Sequence, residues 1–108
     1  MHAMNKKSVR AMRLDAGLLE AMADALLVLG HRHRLRIIES LDLEGEAPVG
    51  ALVDALGLPQ ATVSHHLGIM KRVGLIAGER RGKEVWYRIA NPNAVTILDC
   101  IRRKAGAK

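Results

Sequence analysis

Residues 49–76, VGALVDALGLPQATVSHHLGIMKRVGLI, decide how the chain is read. The triplet Gly57-Leu58-Pro59 makes a tight turn between two helical runs, a short one over Val49–Leu56 and a second from about Gln60 to Val73 that Gly74 stops. On a helical wheel Val63, Leu67 and Met70 share one face of the second run and His66 lies beside them. Ala61, His65, Gly68 and Arg72 point the opposite way.

Working outward from this pair, the spacing of Leu18, Leu19, Met22, Leu26 and Leu29 predicts a first helix from Leu14, closed by Gly30. Its apolar band also takes in Ala25, Leu27 and Val28, which is wider than one packed face needs and calls for a second covering surface. A second helix is expected from about Arg32 to Leu43, with Leu35, Ile37, Ile38 and Leu41 inward, ended by the acidic stretch before Pro48. On the other side, LIAGER and KEVWYRI flank Arg81-Gly82 and read as a β-hairpin. Asn91-Pro92 then supplies a cap and a first-turn proline for a last helix carrying Val95, Leu98 and Ile101. The expected class is mostly α with a small β-hairpin, in the order α-α-α-α-β-β-α, which is that of a winged helix-turn-helix.

Composition agrees with an aliphatic helical core. Among 108 residues there is no Phe, one Trp and one Tyr. One core of this size is only modestly stable by itself, so a partner chain is expected to add to it. We divide the chain into a loosely ordered basic arm over 1–13, a folded domain over 14–105 and a tail over 106–108. The single Cys100 excludes an intrachain disulfide, and no apolar run approaches a membrane span, so the expected compartment is the reducing cytoplasm, with no membrane partner. The net charge of +6 is unevenly placed: residues 37–70 carry five acidic and no basic side chains, whereas 71–108 carry ten basic and three acidic. Such a distribution points to a polyanion met by the ends of the chain.

The adjacent His65 and His66 diverge by about 100° on a helix and cannot chelate one ion together. His66 is expected at the edge of the core, hydrogen-bonded, while His65 faces outward. The outer face of this helix is small and neutral, with Gln60, Ala61, Thr62, Ser64 and Gly68. A mid-helix glycine costs about 1 kcal/mol against alanine, and its lack of a side chain would let the helix lie close to a groove wall.

Over about residues 18–105, the segments LGHRHRLRIIESL, VGALVDALGLPQATVSHHLGIMKRVGLI and GKEVWYRI resemble the arsenic-repressor (ArsR) family of small bacterial transcription factors. The resemblance implies a homodimer joined through its first and last helices, here through Leu18, Met22, Leu26, Leu98 and Ile101. It also implies that the helix after the turn enters the DNA major groove and that the hairpin acts as a wing. In this frame Gln60, Thr62, Ser64 and His65 approach bases or nearby phosphates, and Lys71, Arg72, Arg80, Arg81 and Lys83 neutralise phosphates of an inverted-repeat operator.

The chain also departs from the family pattern. Where relatives cap the second helix with Asp or Asn and a proline, His31 and Arg32 stand, so a weaker cap is expected, with His31 and His33 as solvated surface residues. The family's cysteine pair is replaced by Pro48-Val49-Gly50, and the last helix offers Asp99 and Cys100 but no histidine. Neither familiar metal site can be assembled, and Cys100 is expected to be a buried small apolar residue. We therefore expect no metal, no cofactor and no enzyme activity, since no nucleophile, base and oxyanion constellation is present. Any small effector is left unidentified. The alternatives are a repressor sensing an unfamiliar metal, haem or thiol signal through His31, His33 or Cys100, and a non-enzymatic module that only dimerises.

Overall fold

Helices end at Gly30 and Gly57 and begin after Asn91, as the pattern asks, and Asp15 adds a cap. In a computed structural model of the chain, which describes residues 6–106, Asp15 accepts a hydrogen bond from the Leu18 amide at 3.1 Å and opens a helix over Ala16–Leu29. Gly30 closes it, its amide donating to the Leu26 carbonyl. The element order is α1 (Lys6–Ala11), α2 (Ala16–Leu29), α3 (Arg32–Glu44), β1 (Ala47–Pro48), α4 (Val49–Leu56), α5 (Gln60–Arg72), β2 (Ile76–Arg81), β3 (Glu84–Ile89) and α6 (Pro92–Gly106). Gly57 takes the left-handed conformation, with φ 66°, that the abrupt stop between α4 and α5 requires. Asn91 accepts from the Asn93 amide at 2.9 Å ahead of α6.

The core is aliphatic and continuous. Leu29 of α2, Ile37, Ile38 and Leu41 of α3, Leu52 of α4 and Val63, Leu67 and Met70 of α5 are all buried, joined by Leu75, Ile76 and, from α6, Ala94 and Leu98. Each Leu, Ile, Val or Met among them contributes about 1.5–3 kcal/mol relative to exposure. α5 is thus held by its inner face while its outer face stays open. Arg102 of α6 reaches Asp42 of α3 at 2.7 Å and Asp99 at 3.0 Å, tying the last helix to α3.

The wing is a three-stranded antiparallel sheet in the order β1-β3-β2. Arg81 pairs with Glu84, which leaves Gly82 and Lys83 as the turn, with Gly82 at φ 63°. β1 was not expected: Ala47 and Pro48 pair with Tyr87 and Trp86 at the sheet edge, where a proline need not donate to the ladder.

Other expectations are revised. The basic arm contains α1, a turn-and-a-half helix of Lys, Ser, Val, Arg and Ala, so it is not simply loose between Lys6 and Ala11. Residues 1–5 of that arm, and 107–108 of the tail, lie outside the described residues. Cys100 is exposed on α6 and not a buried apolar residue. Leu98 is buried at 6% exposure within its own chain, whereas Leu18, Leu26 and Ile101 remain about half exposed.

Candidate nucleic-acid interface

α5 presents Gln60, Ser64 and His65 to solvent, with Thr62 and Gly68 half-buried beside them and Lys71 and Arg72 exposed at the C-terminal end. This disposition follows from the inward pull of Val63, His66, Leu67 and Met70. A Cβ built on Gly68 would meet no heavy atom of the described residues within 4 Å, so none of them requires glycine there. Gln60 is the first residue of the helix, and Pro59 before it makes no side-chain cap.

Among the wing cations the structure separates Arg81 from Arg80 and Lys83. Its guanidinium grips Glu46 in a two-pronged pair at 2.7 and 2.8 Å, reaches Glu79 at 3.2 Å and lies 5.1 Å from the centre of the Trp86 ring. The hydrogen bonds from Arg81 hold the Glu46 carboxyl below its ordinary pKa and raise that of Arg81 itself. Arg81 therefore braces the hairpin against the segment entering β1. Arg80 and Lys83 are exposed at the tip and, among the described residues, form no ion pair.

Beneath α5 lies a grouping of histidines. His66 is only 5% exposed, and its Nδ1 accepts from Arg34 Nε at 3.1 Å. The same Arg34 donates through Nη1 to the Val28 carbonyl, so one side chain joins the end of α2 and the start of α3 to the middle of α5. His31 is the N-cap of α3, its Nδ1 accepting from the His33 amide at 3.1 Å. The cap is thus supplied by an imidazole, an acceptor that the usual list of capping residues omits. Ring centroids lie 4.5 Å apart for His31 and His66, 5.2 Å for His31 and His33, and 5.8 Å for His33 and His66, with His65 a further 5.6 Å from His66. His31 and His33 are half-buried, not the solvated residues expected. Burial lowers the pKa of His66, and the positive charges of His31, Arg34, His65 and His33 lower it further. His31 is lowered in the same way, by desolvation and then by Arg34, His33 and Arg32.

Arg34 and the convergence of His31 with His66 were missed by sequence reasoning. Two histidine pairs were visible, but the bond from Arg34 to His66 that accompanies their convergence spans 32 residues. Cys100 sits on α6, apart from this grouping, and no set of three or more His, Cys, Asp or Glu among the described residues is arranged to hold a metal ion.

Comparison with known proteins agrees with this geometry. A helix-turn-helix domain model matches residues 29–79. The repressor SmtB of Mycobacterium tuberculosis is 41% identical over 85 residues, covering 78% of this chain and 62% of its own length. The regulator NmtR of the same species is 30% identical over 98 residues, covering 91% of this chain and 81% of its own. The chain belongs to the ArsR/SmtB family. A solved homodimeric winged helix-turn-helix DNA-binding domain from Mycobacterium bovis, described as a possible ArsR-family regulator, superposes with a TM-score of 0.71 at 31% identity, covering 89% of this chain and 90% of that one. The ArsR/SmtB family is one of transcription regulators, not enzymes, and its solved members share this winged helix-turn-helix fold. This chain spans a little under two thirds of SmtB. Among the described residues no helix is long and apolar enough to cross a membrane.

Proposed function

We propose that the chain is a homodimeric, sequence-specific transcriptional repressor that acts on double-stranded DNA in the cytoplasm. The observation that carries this reading is the outer face of α5: small, neutral and open, with Gln60, Ser64 and His65 exposed, and Lys71, Arg72 and the basic wing tip beside it. Gln60, Thr62, Ser64 and His65 read or adjoin bases, and Gly68 leaves room for a close approach to the groove wall. Lys71, Arg72, Arg80 and Lys83 neutralise phosphates, with Arg81 fixing the wing that carries two of them.

The second chain covers the apolar face left open on α2 and α6. Leu18, Leu26 and Ile101 sit there about half exposed, with Leu19 and Leu27 alongside and Met22 partly buried. A run of such residues on one surface is a partner-binding face. That the similar M. bovis domain is homodimeric supports a second chain. We assign residues 14–105 to this DNA-binding and dimerising unit. No metal or other cofactor enters the mechanism proposed here.

Selection from a randomised duplex library tests the function. The expected winner is an inverted repeat bound by two chains, preferred over a scrambled duplex by 10³-fold or more, on the order of specific protein–DNA complexes. Equal binding to every duplex, or none, would leave only a dimerisation module.

A further inference from the structure

We propose that the histidine node joining α3 to α5 is a proton-responsive switch, in which protonation of His66 and His31 releases the DNA-reading helix and lowers operator preference. The inference rests on the repressor reading. Its geometry stands alone: His66 Nδ1 accepts from Arg34 Nε, His31 Nδ1 accepts from the His33 amide, and both bonds require an unprotonated Nδ1. A proton added at either nitrogen occupies the lone pair that the bond uses. At His66 it sets two N–H groups face to face, and at His31 it removes the cap of α3.

Every neighbouring charge resists the proton or is repelled by it. From α3 the groups are His31, Arg32, His33 and Arg34, from α5 His65, and each contributes positive charge when protonated. From α2 the node receives the Val28 carbonyl, which already accepts from Arg34. Several imidazoles within 4.5–5.8 Å cannot all charge without strong mutual repulsion. The linkage sign follows from the lowered folded-state values. In the unfolded chain the His31 and His66 imidazoles take up protons near the ordinary 6.5, above their folded values. Stability from the node is therefore complete above that pH and is lost as pH falls through the folded values.

The same bonds disfavour a metal. A ligating imidazole usually donates its second N–H to an oxygen, whereas here the Nδ1 atoms accept from nitrogens, which leaves the proton on Nε2. The node therefore resists a proton at neutral pH, and a proton forced onto it as pH falls breaks the bond that fastens α5 to α3. Added positive charge would by itself strengthen non-specific DNA binding, so the signature is a fall in the ratio of specific to non-specific affinity.

The experiment uses the full chain, a library-selected duplex and a scrambled duplex of equal length, with affinities measured from about pH 7.5 to about pH 5.5 with and without EDTA. We expect the ratio to fall about tenfold or more, within the usual range of coupling between sites, and to fall equally in EDTA. The double variant His31→Asn and His66→Gln keeps a cap and an acceptor for Arg34 but cannot titrate, so its ratio should stay flat while its binding at the higher pH persists. A flat wild-type profile, an undiminished fall in the double variant, or a fall abolished by EDTA would each overturn the proposal. If the double variant fails to fold, or no duplex is selected and the repressor reading fails, the wild-type NMR titration decides. His66 and His31 should titrate below the ordinary imidazole value, with α5 amide exchange accelerating in step. Titration at or above that value, or unchanged α5 exchange, would overturn the switch independently of any operator.

Discussion

Two helices leave one face uncovered, and the two faces differ in kind. On α2 the open side holds Leu18, Leu19, Leu26 and Leu27, large and apolar, with Ile101 of α6 about half exposed. On α5 it holds Gln60, Ser64 and His65, small or polar, with Gly68 half-buried among them and cations at the end. The first face gains by leaving water and suits another apolar surface. The second gains little by burial, and suits a partner with donors, acceptors and negative charge. Exposure alone therefore does not define a binding surface; the chemistry of what is exposed selects the partner.

The largest effect should come from placing a charge on the apolar face. Leu26→Asp would put a carboxylate into the dimer contact, and an unpaired buried charge costs about 3–5 kcal/mol. Sedimentation should show monomers, with operator binding lost. A dimer undisturbed by this change would remove α2 from the interface. Next in size, Arg80→Ala with Lys83→Ala should weaken binding to all duplexes and reduce the log–log salt slope by about two units per chain, or about four for the dimer. Arg81→Ala should change that slope less and instead loosen the sheet, because its guanidinium is already held by Glu46. Equal slope changes would return Arg81 to the phosphate-contacting set.

Within the reading face, Gln60→Ala or His65→Ala should cost about 1–3 kcal/mol at the matched operator while leaving non-specific binding in place. An unchanged ratio for His65→Ala would make it a bystander or a phosphate contact. The smallest effect is the most discriminating. Gly68→Ala should stabilise the chain by up to about 1 kcal/mol in thermal unfolding, since the Cβ meets nothing, yet weaken operator binding. If both stability and binding improve, the glycine is a tolerated surface residue and not a device for close approach.

Much of the fold was legible because its signals are local. Gly30, Gly57 and Gly74 mark chain reversals, Asn91-Pro92 opens α6, and the inward Val63, Leu67 and Met70 follow from a 3.6-residue period. The over-wide band on α2 was visible for the same reason. What escaped is long-range. Arg81 reads as one more cation at a hairpin tip until Glu46, 35 residues earlier, is brought beside it. His31 and His66 read as a poor cap and a core-edge residue until the fold brings their rings 4.5 Å apart and Arg34 onto His66. The two-residue β1 has too few positions to show a period, and Leu98 cannot be assigned to its own core or to a partner by spacing alone.

The central claim is that two copies of α5 read two halves of one operator. Footprinting of the selected duplex at single-nucleotide resolution tests it most directly. The account predicts two protected major-groove segments related by a two-fold axis, their centres about 10–10.5 base pairs or a multiple apart, with both lost together in Leu26→Asp. One protected segment, or two that persist when the chain is monomeric, would contradict it.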